Sequence, residues 1–177
     1  MTCPQCASEM EAMTFDGHLG TPVAIDICRA CQVLWFDPRE DLRLAPASTL
    51  KVFQIIAKQA KSTVVSQPAV TAPACPRCGL RLLQTHDQQH ATKFEYLRCA
   101  RGHGRLISFV NFLLEKDFIR PLSPEQIDEL RQRKIQVISC SKCGAPVDLT
   151  HGPACAHCGA SLSMLDVSRM AGAGRDE

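Results

Sequence analysis

The chain has 177 residues, of which 45% are hydrophobic, 21% charged and 5% aromatic, and its formal net charge is +2 at pH 7. That length suits one ordinary domain or several very small ones. No apolar run is long enough for a transmembrane helix, so we expect neither a membrane span nor a membrane partner. The first residues lack the charged start and apolar stretch of a secretory signal, so we expect a cytoplasmic protein.

Cysteine dominates the chemistry of the chain. Ten of the 11 cysteines form five pairs in which two residues separate the partners. Without a secretory signal, such pairs are more typical of metal ligands than of disulfides. Two intervening residues allow a tight turn to direct both thiolates at one tetrahedral ion. The pairs are Cys3/Cys6, Cys28/Cys31, Cys75/Cys78, Cys140/Cys143 and Cys155/Cys158.

Residues 1–41 predict an N-terminal four-cysteine zinc ribbon, with the first two cysteine pairs as its ligands. Apolar residues alternate with other residues along 23–27, which indicates a half-buried strand that ends at Cys28. Trp35 and Phe36 follow the second pair and are expected to form the small core of this ribbon.

Residues 42–61 predict an amphipathic helix, with Ser48 as its N-cap. Its apolar residues spread around the helix, so it should pack against a partner, which would be the ribbon, a second copy or another protein. Self-association through the helix at 48–61 is therefore one hypothesis. Residues 62–74 carry two prolines and no charge, which favours an extended linker.

Residues 75–138 predict a second zinc ribbon followed by two helices. Cys75, Cys78 and Cys99 offer three thiolates, and His103, flanked by glycines, is the expected fourth ligand. His86 and His90 remain alternatives, because their four-residue spacing would place both on one face of a helix. The interpretation we prefer for these two histidines is that of solvated polar residues.

The remaining elements of the middle and C-terminal segments follow from local patterns. The ribbon strands are predicted at 80–83 and 94–97, and a buried helix is predicted in the apolar stretch 106–114. Ser123, Pro124 and Gln126 predict a helix with a capping box that runs to about Lys134. Residues 137–138 favour a strand. Residues 139–166 predict a C-terminal four-cysteine ribbon with Cys140, Cys143, Cys155 and Cys158 as ligands, and residues 167–177 a flexible tail.

Arginines concentrate around the second ribbon. Residues 62–134 carry 11 basic and 7 acidic side chains, and nucleic-acid affinity depends chiefly on neutralising phosphates. A solvated basic face is the alternative explanation. The candidates for nucleic-acid contact are Arg77, Arg81, Arg98, Arg101 and Arg105.

Several motifs in residues 1–41 resemble the bacterial zinc-finger family named after the transcription factor IIB ribbon. They are Cys3-Pro4-x-Cys6, Cys28-x-x-Cys31 and Trp35-Phe36-Asp37 followed by Glu40. The resemblance implies a zinc ribbon and suggests a role related to transcription. Residues 139–166 are similar to generic zinc ribbons.

The sequence therefore predicts a small, metal-stabilised α+β protein with three zinc ribbons of short antiparallel strands, joined by α-helices. We expect three structural Zn²⁺ ions, although ligand type alone leaves iron open. The preferred function is a non-enzymatic adaptor that presents surfaces to a protein or a nucleic acid. The alternative is a metalloenzyme or redox protein that uses an open Cys75/Cys78/Cys99 site, with three protein ligands and a water molecule.

Overall fold

The computed structural model describes residues 1–60, 72–89, 92–133, 136–140, 146–152, 154–157, 159 and 162–165. Within these residues the protein has an α+β fold with antiparallel sheets and short helices. No helix in this described part is long and apolar enough to cross a membrane.

The elements fall into three stretches of the chain. The first contains β1 (Glu11–Asp16), β2 (Pro22–Cys28), β3 (Val33–Phe36), α1 (Glu40–Arg43) and α2 (Pro46–Ala60). The second contains β4 (Leu83–Gln89), β5 (Thr92–Arg98), β6 (Arg105–Ser108) and α3 (Phe109–Glu115). The third contains β7 (Ile119–Pro121), α4 (Pro124–Gln132), β8 (Val137–Ser139), β9 (Pro146–Asp148) and β10 (Ser163–Leu165).

The first two stretches build one six-stranded sheet in the order β1-β2-β3-β6-β5-β4. The central pair is antiparallel, with Leu34 opposite Ile107 and Trp35 opposite Leu106. All four residues of β3 are buried. The strand is therefore not an open edge of the sheet, and it pairs with β6. The sequence suggested separate ribbons, whereas the first two ribbons share a sheet.

The two halves of this sheet repeat one another. Cys3 and Cys75 stand 72 positions apart, and the same offset relates Cys31 to His103. Backbone contacts repeat too, because the bridge between Thr2 and Glu9 recurs 72 positions later between Ala74 and Arg81. Each half is therefore a three-stranded antiparallel unit, and the pairing of β3 with β6 relates the halves by an approximate two-fold axis.

Helices cover one face of the sheet. Val52, Phe53 and Ile56 of α2 are buried in the main apolar cluster, together with Phe112 of α3. The apolar side of α2 that suggested self-association therefore packs against the ribbons of its own chain.

The N-cap prediction for α2 was wrong. The helix begins at Pro46, a residue suited to the first helical turn because it lacks a backbone N–H. Ser48 lies inside that turn, fully buried, and its hydroxyl has no hydrogen-bond partner among the described residues.

Two further boundaries differ from the sequence predictions. The first strand of the second ribbon begins at Leu83, not at residue 80, and runs to Gln89. The stretch 106–114 begins in β6 and becomes α3 only at Phe109, where the Ser108 hydroxyl accepts a hydrogen bond from the Asn111 N–H at 3.2 Å. The cap separates strand from helix within one apolar run.

The third stretch has its own small core. The predicted capping box is present, since Ser123 and Gln126 exchange hydrogen bonds at 2.9 and 3.3 Å. The predicted strand at 137–138 lies in β8, which pairs with β9, while β10 pairs with β7. The buried cluster comprises Leu122, Ile127, Cys140, Val147, Leu149, Cys155 and Leu162. Residues 62–71 of the predicted linker (62–74) and the whole predicted tail (167–177) lie outside the described residues.

Candidate metal centres

The first candidate site joins the two cysteine pairs of the first ribbon. The sulfur atoms of Cys3, Cys6, Cys28 and Cys31 all lie within 4.8 Å of one another. The Sγ atoms of Cys6 and Cys28 are 3.7 Å apart. Cys3 and Cys28 are buried, and the other two are half-buried. This group could hold one metal ion.

Tight turns of the backbone position these thiols. The N–H of Ala7 donates to the Cys3 carbonyl at 2.9 Å, and Ala7 has a φ of 59°. In the second half, the N–H of Gly79 donates to the Cys75 carbonyl at 2.8 Å, with a φ of 72°. Both turns need a left-handed residue after the second cysteine, and glycine adopts that conformation without strain.

The second candidate site combines three thiols and one imidazole. One ligand atom from each of Cys75, Cys78, Cys99 and His103 falls within a 4.8 Å group. The Nδ1 atom of His103 is 3.9 Å from the Cys75 sulfur and 3.7 Å from the Cys99 sulfur. The Cys78 and Cys99 sulfurs are 3.6 Å apart. This group also could hold one metal ion.

These separations fit a tetrahedral ion. A zinc–sulfur bond of about 2.3 Å places neighbouring sulfurs about 3.8 Å apart, and sulfur–nitrogen neighbours about 3.6 Å apart. The observed distances, from 3.6 to 3.9 Å, cluster around these values. Structural zinc sites also use these donor sets, namely four thiolates or three thiolates and an imidazole.

The thiols of the first site have pKa values shifted in opposite directions. The pKa of Cys3 is raised to about 11, chiefly by burial and to a smaller extent by the neighbouring Cys28. Burial acts in the same direction on Cys6, but hydrogen bonds from Ser8 and from the cysteines outweigh it and lower the pKa of Cys6 to about 6. Four crowded thiols cannot all ionise alone, and a bound dication allows them to do so.

The second site shows the same pattern. A backbone hydrogen bond from His103 is the main reason that the pKa of Cys99 is lowered to about 6. Burial raises the pKa of Cys75. The pKa values of these two thiols are therefore shifted in opposite directions within one site.

The alternative histidine ligands lie elsewhere or outside the described residues. His86 is exposed, and its Nε2 is 3.6 Å from the Glu95 carboxylate. His90 falls outside the described residues. His103 is the fourth donor of the second site. The structure therefore groups four protein donors there, and not the three donors plus a water molecule of the alternative hypothesis.

The third predicted site is described only in part. Cys140 and Cys155 are both buried in the small C-terminal core. Cys143 and Cys158 lie outside the described residues.

One apolar cluster lies between the two described sites. Trp35 and Leu106, which face each other across the central strand pair, are buried in it together with Cys3, Cys28, Cys75 and Cys99. Gly104 permits this close packing, because a Cβ there would lie 2.9 Å from the Trp35 ring and 2.3 Å from the Phe36 carbonyl. The two candidate sites thus share one face of the sheet.

The candidate nucleic-acid contacts divide into two groups. Arg105 is largely buried and forms ion pairs with Asp41 at 2.7 Å and Glu115 at 2.8 Å, so it supports the interior. Arg77 is ion-paired with Asp37. Arg77 is itself exposed, as are Arg81, Arg98 and Arg101, for which no ion pair is seen within the described residues.

Sequence reasoning missed Asp37 as an organising residue. Its carboxylate accepts a hydrogen bond from the Trp35 indole at 3.0 Å, and its N–H donates to the Glu40 carboxylate at 2.8 Å. The spacing of Asp37 and Glu40 carried a signal, since a carboxylate three residues after an acidic residue can close a capping turn.

Comparisons of the chain with protein-family models, with curated proteins and with solved structures found no match. The assignment of the two described clusters as candidate metal sites therefore depends on their geometry.

Proposed function

We propose that the chain is a non-enzymatic, zinc-dependent adaptor in which metal ions shape surfaces for a partner macromolecule. The observation that carries the proposal is that His103 joins three cysteines in the second cluster. With four protein donors at each described cluster, a tetrahedral ion has no position left for a substrate or an activated water.

Burial supports a structural role for the metals. The main apolar cluster of the shared sheet lies on its helix-covered face, whereas the face that carries the candidate metal sites has a much smaller one. The cluster around Trp35 consists largely of the cysteines themselves and a few aliphatic neighbours. A structural zinc ion can contribute on the order of 10–16 kcal/mol, so the sheet would depend on its metals.

The proposal includes a third zinc ion, held by Cys140, Cys143, Cys155 and Cys158. The burial of Cys140 and Cys155 in one small core supports it. Because residues 1–41 resemble the transcription factor IIB-type ribbon, transcription is the first process in which to look for a partner.

Metal counting under native conditions tests the proposal. Native mass spectrometry with elemental analysis of the full chain should find three zinc ions, and Cys143→Ser should leave two. Finding iron, disulfides or fewer than three metals would contradict the proposed set.

Cobalt substitution tests the second site separately. Tetrahedral Co²⁺ gives visible absorption bands that change when an imidazole ligand is replaced. His103→Cys should alter the bands while retaining the metal, whereas His86→Ala should leave them unchanged. If His86→Ala changes the bands and His103→Cys does not, the assignment of His103 is wrong.

A further inference from the structure

We propose that a groove beside α1 binds an acidic, apolar peptide segment of a partner protein. The inference rests on the adaptor function proposed above and names its class of partner. The groove has a volume of about 390 Å³ and lies between the first and second ribbons. Its walls are Pro38 to Leu42 on one side and the β4–β5 hairpin on the other.

The groove has an exposed apolar rim at Leu42 and an aromatic floor formed by the buried Phe94 and the half-buried Tyr96. Leu42 lines it with 71% of its surface exposed. Phe94 and Tyr96 line it from β5, with ring centroids 6.1 Å apart. A leucine exposed beside an aromatic pair is suited to receive an apolar side chain from a partner.

The free charges of the groove favour an acidic partner. Arg105 and Lys116 together neutralise Asp41 and Glu115, and Arg77 neutralises Asp37. Two further guanidinium groups line the groove, those of Arg39 and Arg98, and neither has an ion-pair partner within the described residues. The carboxylate of Asp87 also lines it, so the unpaired charges sum to one positive charge.

The backbone holds Arg39 in a strained conformation. Its φ of 66° and ψ of 7° lie in the left-handed region, which costs a residue with a side chain on the order of 1 kcal/mol or more. Arg39 is exposed, and burial of its own side chain does not offset that cost. Strain retained at an exposed cation is consistent with a role in binding.

The internal repeat shows that the two edge strands of the sheet, β1 and β4, are covered to different extents. In the first half, α2 packs on the sheet face of β1, where Phe15 is buried in the same cluster as α2. In the second half, β4 is the equivalent edge strand, yet its side chains are exposed except for a half-buried Thr85. Asp87 of β4 pairs with Phe94, so the groove lies on this less covered face. A peptide segment would cover β4 as α2 covers β1.

Peptide selection tests the proposal. The full chain, with its zinc content verified by elemental analysis, is screened against random 12-residue peptides displayed on phage. We expect enriched peptides to combine Asp or Glu with Leu or Phe. Recovery of only basic peptides, or of none from protein with its full zinc content, would overturn the groove while leaving the zinc proposal intact.

Variants then place the bound peptide. Fluorescence anisotropy with the enriched peptide should show at least ten-fold weaker binding for Arg39→Glu, Arg98→Glu and Leu42→Asp. Arg81→Glu and Leu19→Asp are matched controls, because both residues are exposed and neither lines the groove. Equal effects in the two sets would contradict the proposal.

A single-stranded oligonucleotide of 12 nucleotides serves as the competing probe. If it binds the zinc-loaded chain, displaces the peptide and loses affinity with Arg39→Glu and Arg98→Glu, the groove is a nucleic-acid site and the peptide proposal fails. Absence of competition supports a peptide site.

Discussion

Arg77 lies between Cys75 and Cys78, and its Nε donates a hydrogen bond to Oδ1 of Asp37, in the first half of the sheet, at 3.0 Å. The same oxygen accepts the indole N–H of Trp35 at 3.0 Å. The second candidate metal site is therefore connected, through one carboxylate, to the largest side chain in the cluster that packs around both sites.

We predict that the two described metal sites support one another. Cys78→Ser should remove the second metal and also weaken zinc binding at the first site by about ten-fold or more, because coupling of this kind amounts to about 1–3 kcal/mol. Competition with a chromophoric chelator measures the first-site affinity. An unchanged affinity there would mean that the halves fold independently.

Trp35 provides a direct optical readout of this coupling. It is the only tryptophan of the chain and is fully buried, so its emission should shift to longer wavelength when Cys78→Ser opens the cluster. Cys140→Ser is the control, because Cys140 belongs to the separate C-terminal core. A red shift in both variants would point to global unfolding instead.

A double-mutant cycle tests the link between Arg77 and Asp37. The pair is partly exposed, so we expect a coupling energy of about 0.2–1 kcal/mol. Asp37→Ala should cost more than Arg77→Ala, by roughly 1–3 kcal/mol, because it also leaves the buried indole N–H of Trp35 without an acceptor. Urea denaturation of the four proteins measures both quantities, and equal single-variant costs would exclude a role for the indole.

Two glycines of the second site offer a matched pair. Gly104→Ala should destabilise the chain by about 3 kcal/mol or more, since its Cβ would collide with the Phe36 carbonyl and the Trp35 ring. Gly102→Ala should cost only about 1 kcal/mol, because a Cβ there meets nothing within 4 Å and only its φ of 73° is unfavourable. Thermal unfolding of the zinc-loaded proteins measures the difference, which should shrink to the cost of the φ of 129° at Gly104 if the halves are not in contact.

Local patterns predicted the candidate ligands and the capped helix because those features depend on short spacings. Cys28 ends a strand as expected, and the capping box of Ser123 and Gln126 forms within one turn. The pairing of Leu34 with Ile107 could not be predicted in this way, because nothing in either strand alone specifies a partner so far along the chain. The burial of Arg105 follows from that pairing, which brings α1 and α3 together around its side chain.

Glu40 should make stability depend on pH. Burial is the main reason that its pKa is raised; the hydrogen bond from the Asp37 N–H opposes this, and the charge of the Asp37 carboxylate adds a smaller upward contribution. The folded state therefore holds the proton of Glu40 more tightly than the unfolded state, so the stability associated with this group is present at low pH. That stability is lost as pH rises from the ordinary glutamate pKa through the raised one.

Glu40→Gln should remove the free-energy cost of burying a charged carboxylate, because glutamine is uncharged. Its amide oxygen can still accept the hydrogen bond that the Asp37 N–H now donates to Glu40 at 2.8 Å. We expect a rise in Tm of about 1–3 °C at pH 8, which shrinks towards pH 5 as Glu40 itself becomes protonated. Glu9→Gln is the control, since Glu9 is exposed and should show no such trend. A gain for Glu40→Gln that stays constant from pH 8 to pH 5 would show that charge burial is not its cause.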